Sequence, residues 1–229
     1  ARNASLTNLD GLSSLASVDG ELFIRGNQVL PNLDGLSALQ RVGGDLKIVG
    51  GELVDIGGLS GLISVGGLLY IAWIEITELP GFPNLTTVGG GLIIEDNLRL
   101  ESVYGFASLA TLGGTLRIYD NLRLARIDGF NGLSHLDGLW MSENDGLTQI
   151  SGFENVTTVG ELLVIRDNYA LRRIDGFTGL TSVNGSMAIR KNLVLESMDG
   201  FSQLNTVGDD LKVAQLSLAN LDVFGRLQS

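Results

Sequence analysis

Apolar residues recur along almost the whole chain with a period of 23 or 24 positions. In the unit from Gly105 to Asp128 they are Phe106, Leu109, Leu112, Leu116, Ile118, Leu124 and Ile127, with polar or small residues between them. Each short segment therefore has one apolar side. The triplet Leu116-Arg117-Ile118 alternates apolar and polar with period two, the mark of a strand buried on one face, and it returns as Leu22-Phe23-Ile24, Leu46-Lys47-Ile48 and Leu92-Ile93-Ile94. A unit this small cannot bury its apolar side alone, but stacked on copies of itself it can. The pattern predicts a β-rich, right-handed solenoid of about nine to ten rungs. Its triplets form a parallel sheet, and the rest of each rung supplies the long crossover that parallel strands require.

Glycine and asparagine punctuate the repeat. One glycine marks its phase as Gly11, Gly35, Gly58, Gly81, Gly105, Gly129, Gly152, Gly176, Gly200 and, one residue late, Gly225. A tight corner precedes each strand, written Gly43-Gly44, Gly66-Gly67 or Gly113-Gly114, or as Asp19-Gly20 and Asn184-Gly185. These residue types tolerate positive φ, and the adjacent rung leaves little room for a Cβ, so glycine is expected at the corner on both counts. Three residues past the inner strand residue stand Asn27, Asn97, Asn121, Asn144, Asn168 and Asn192. Amides stacked about 4.8 Å apart can bond one another and the turn backbone, which predicts an asparagine ladder. The second and third rungs break the column with Gly50-Gly51 and Trp73-Ile74. Either a local bulge replaces the turn there, or Trp73 projects as part of a contact.

The 229 residues carry a formal net charge of −11, which disfavours general nucleic-acid binding and an anionic membrane surface, since both need a basic face. The absence of cysteine excludes thiolate catalysis, cysteine zinc sites and disulfides. No stretch is apolar and long enough to insert in a bilayer, and no linker divides the repeat. The expected organisation is one solenoid domain over 1–229, cut from a longer surface protein with further domains. Asn3, Asn84, Asn155 and Asn184 lie in glycosylation sequons. The single histidine, His135, falls in a crossover segment. Enzyme chemistry is left with a carboxylate pair of glycosidase type, for which Glu95 and Glu143 at strand ends are the candidates. A stack of like rungs lacks the converging elements of a catalytic cleft, so the expectation is no enzyme and no cofactor. Asp96, Asp120, Glu143 and Asp167 form a column of acids ending at Lys191, either solvated or bridged by a cation such as calcium.

The run Leu92-Ile93-Ile94-Glu95-Asp96-Asn97-Leu98-Arg99-Leu100 resembles the leucine-rich repeat superfamily. The wider phrase Leu39-Gln40-Arg41-Val42-Gly43-Gly44-Asp45-Leu46-Lys47-Ile48 resembles the receptor L domain, a ligand-binding module of receptor ectodomains and of fungal and bacterial surface proteins. The likeness is to the cysteine-free, Gly-Gly-rich versions of microbial surface proteins. It implies an extracellular or cell-surface setting and carries over no ligand residue.

The outward strand positions differ from the rest of the surface. They hold six of the 15 basic residues, namely Arg25, Lys47, Arg117, Arg166, Arg190 and Lys212, together with Phe23, Tyr70, Tyr119 and Trp140, and no acid between Arg117 and Arg190. Arg, Tyr and Trp dominate interface energetics. The candidate ligand-binding residues are therefore Arg117, Tyr119, Trp140, Arg166, Arg190 and Tyr70, on a face suited to a protein segment or a glycan. The competing expectation is a rigid spacer that holds another domain away from a cell.

Overall fold

The structure is a computed structural model that describes residues 3–79 and 82–228; Gly81, one of the phase-marking glycines, lies outside them. It is a β-solenoid. Its main sheet has nine parallel strands, Leu22–Arg25, Leu46–Val49, Leu69–Ala72, Leu92–Glu95, Thr115–Tyr119, Gly138–Ser142, Leu163–Arg166, Met187–Arg190 and Leu211–Ala214, stacked in chain order. The register sets like on like: Leu69 pairs with Leu92, Leu92 with Leu116 and Leu116 with Leu139. About eight full turns result, slightly fewer than the nine to ten expected. The last repeat explains the difference, because after Leu221 it forms the 3-10 turn Asp222–Phe224 but no further strand among the described residues.

The crossovers carry one or two shorter β segments each, which build three smaller parallel sheets. Two of these continue one flank, from Ser17–Val18 to Thr111–Leu112 and from His135–Leu136 to Thr206–Val207, and the third runs from Glu78–Leu79 to Arg173–Ile174. The triplet pattern does not reveal them, since two residues with one inward side chain offer no alternation to read. Helix among the described residues is confined to five single 3-10 turns.

The core is one continuous column from Leu30 to Leu204. Within it Phe82, Phe106, Phe130, Phe153, Phe177 and Phe201 stack ring on ring at centroid separations of 4.9 to 5.3 Å, close to the pitch of the sheet. In-register parallel strands repeat every side chain at that pitch, so an aromatic at one phase becomes a stack. The second and third rungs place Leu36 and Leu59 there instead.

The asparagine ladder is present. Asn97, Asn121, Asn144, Asn168 and Asn192 are 0% exposed. Each backbone N–H and side-chain amide from Asn97 to Asn168 donates to the Oδ1 of the next asparagine, at 3.1 to 3.3 Å. The same amides donate across the rung to inner-strand carbonyls, for example Asn144 Nδ2 to Ile118 O at 2.9 Å. Buried polar backbone is thereby paired where the chain leaves the sheet. At the interruption Ile74 N–H still donates to Asn97 Oδ1.

Positive φ sits elsewhere than expected. The Gly-Gly corners before the strands do not adopt it. Instead it falls on the residue just ahead of the ladder in every rung: Gly26, Gly50, Trp73, Asp96, Asp120, Glu143, Asp167, Lys191 and Gln215, with φ between 53° and 68°. The corner glycines are required by the second of the two expected reasons alone, the lack of room. A Cβ on Gly43, Gly66 or Gly113 would fall inside the carbonyl oxygen of the corner beneath it, on Asp19, Gly43 and Gly89 respectively. Close approach of stacked backbones selects glycine there.

Candidate functional site

Register decides which outward side chains meet. Arg117 pairs with Trp140, and Tyr119 pairs with Ser142, which pairs with Arg166. Four of the six candidates, Arg117, Tyr119, Trp140 and Arg166, line one shallow pocket of about 350 Å³ on the sheet face. The Trp140 indole N–H donates to Ser142 Oγ at 2.8 Å, which fixes the ring edge. The Arg166 guanidinium lies 5.1 Å from the ring centroid, within cation–π range.

Arg190 follows Arg166 in register but stands exposed beyond the pocket wall. Tyr70 is two strands from Arg117, joined through Ile93, and also lies off the pocket. Its hydroxyl donates to Glu95 Oε1. The six residues therefore form a pocket of four with two outliers.

The electrostatics correct the reading of an acid-free basic face. The left-handed turn after each strand brings Asp120 and Glu143 onto the pocket wall beside the arginines. Arg166 Nη1 donates to Asp167 at 2.5 Å and its Nη2 reaches Glu143 at 3.5 Å, while its buried Nε has no hydrogen-bond partner. Counting only strand positions missed these acids, because they stand one residue past the strand. The signal was in the acid column, whose backbone conformation places it next to the sheet face. Burial raises the pKa of Glu143, Asp120 pushes it the same way, and Arg166 opposes. Asp96 is raised by burial and by Asp120. Among the described residues no cluster of three or more acids or histidine could hold a metal ion.

Glu95 and Glu143, the carboxylate pair, are not equivalent. Glu95 ends the fourth strand, is buried and takes the Tyr70 hydrogen bond, whereas Glu143 occupies the turn after the sixth strand. Burial raises the Glu95 pKa, with the Tyr70 hydrogen bond opposing. A carboxyl whose folded pKa lies above its unfolded value binds its proton more tightly in the native state, so its contribution to stability falls as pH rises through that window. Thermal melts should show Glu95→Gln gaining most over the parent at neutral pH and losing that advantage toward about pH 4.3, the unperturbed glutamate value. An advantage that grew on acidification would mean that Glu95 is held ionised.

His135 lies in a two-residue strand, exposed, with Nε2 3.3 Å from Asp137 Oδ1. No described helix is long and apolar enough to cross a membrane. The chain matches no known protein-family model and no curated protein.

Proposed function

We propose that the chain is a non-catalytic binding module whose parallel-sheet face holds a protein segment or glycan at the Trp140 pocket. The observation that carries this is a half-exposed tryptophan fixed in orientation by Ser142 and roofed by an arginine, in a dent bordered by hydrogen-bonding groups. An indole held this way offers a flat apolar platform without the entropy cost of ordering it on binding. Because Arg166 is already paired with Asp167 and Glu143, the ligand that fits best is a neutral or mixed-charge one. The likeness of the repeat to the cysteine-free receptor L domains supports the same reading, together with an extracellular or cell-surface setting and neighbouring domains in one precursor. The unbroken core favours a second reading as a rigid spacer, since a column without a seam transmits load along its length.

Peptide and glycan arrays probed with the intact chain, and then with Trp140→Ala/Arg166→Ala, test the proposal. The double variant should bind the array ligand at least tenfold more weakly, the loss expected for a central aromatic anchor and its cationic neighbour. Equal binding by both proteins would remove the pocket as the site and leave the spacer.

A further inference from the structure

Trp73 occupies the position just ahead of the ladder, where φ is positive in every rung, at 53°. Elsewhere in the column stand glycine, short acids or flexible polar residues, which accept the left-handed region more readily than a bulky aromatic. The indole is also 52% exposed, so core packing does not account for its presence. A strained, exposed aromatic points from conformation to function.

The surroundings supply a site. Gly50, the equivalent residue of the preceding rung, and Gly51, where the ladder lacks its asparagine, remove two side chains beside the ring. They leave a groove of about 810 Å³, bordered by Gln28, Glu52, Val54, Glu75 and Arg99 with Trp73. A second dent of about 430 Å³ shares Glu75 and Arg99 and extends the groove past Leu98. Both volumes fall in the range of small-molecule sites, about 300–1,000 Å³.

Charge decides between ligands. Arg99 Nε and Glu75 Oε2 are 2.7 Å apart, so each offsets the other, while Glu52 in the groove and Arg123 in the adjoining dent make no ion pair among the described residues. A polyanion finds one free cation here and a polycation one free carboxylate, so neither sign prevails. The groove suits an uncharged ligand with an apolar flat face and many hydroxyls. The ring face of a sugar packs on indole, while its hydroxyls bond planar carboxylate, amide and guanidinium groups.

We infer that the Trp73 groove is a second binding site, independent of the Trp140 pocket, for a neutral oligosaccharide chain. The test is titration of the full chain with neutral hexasaccharides of β-1,4-linked glucose, β-1,3-linked glucose and β-1,4-linked N-acetylglucosamine. The protein has 2 tryptophans, so Trp140→Phe leaves Trp73 as the sole indole reporter. At least one hexasaccharide should give a saturable change in its emission. Trp73→Asn keeps a residue that takes the left-handed turn; its Tm should stay within about 4 °C of the parent while calorimetric affinity falls at least tenfold. Silence of Trp73 toward all three sugars would overturn the inference. Unchanged affinity in Trp73→Asn, or binding abolished only by Trp140→Ala, would do the same.

Discussion

Asn144→Ala is expected to destabilise the fold by about 4 kcal/mol, on the basis that each buried polar group left unpaired costs about 1–3 kcal/mol. Asn144 Oδ1 accepts from the Asn121 N–H and amide, and its Nδ2 donates to Ile118 O and Asn168 Oδ1. Alanine removes all four bonds at a site that water does not reach. The neighbours cannot repair the loss, because the rung above and the rung below are fixed by their own pairings. Asn27→Ala is the internal comparison. Asn27 begins the column before the interruption and its Oδ1 has no partner, so its removal should cost less than half as much. Urea denaturation of both variants measures the difference, and equal losses would show that the column acts as separate turns and not as a ladder.

Gly113→Val should cost at least about 3 kcal/mol, in the range of severe overpacking, since its side chain would occupy the space of the Gly89 carbonyl and must push two rungs apart. Arg117→Ala, four residues on but exposed on the sheet face, should stay within about 0.5 kcal/mol. A further substitution separates the two physical reasons for glycine. Asparagine tolerates positive φ but carries a Cβ, so Gly113→Asn should fail almost as badly as valine if close approach is the constraint. Near-native stability of Gly113→Asn would return the corner to a conformational explanation.

The period of the apolar residues was enough to read the architecture, the main strands and their inward residues, because a side-chain alternation of two inside a repeat of 23 or 24 leaves one way to bury Leu116 and Ile118. The ladder was legible for the same reason: asparagine at one phase has neighbours only of its own kind. What escaped the sequence was conformation. Glycine at a corner reports that a Cβ is unwelcome but not why, and Asp120 or Glu143 shows no outward sign of a left-handed backbone. That missing detail also changed the candidate site, since the left-handed turn carries acids to the arginines. Register drew four candidates together and left Tyr70 and Arg190 aside, a sorting that depends on which strands are adjacent and where each ends.

The ladder also makes the solenoid a polar rod. Every asparagine from Asn121 to Asn192 turns its Oδ1 toward the N-terminal side and receives donors from the rung before it, so the side-chain dipoles add instead of cancelling. The accompanying backbone N–H groups point toward the next rung, which adds to the dipole in the same sense. A column of aligned amides carries partial negative charge at its N-terminal end and partial positive charge at the other, as the peptide dipoles of a helix do with their own orientation. The two ends of the stack thus differ electrically as well as in sequence. A charged group placed on the axis has a preferred end, independent of anything displayed on the sheet face.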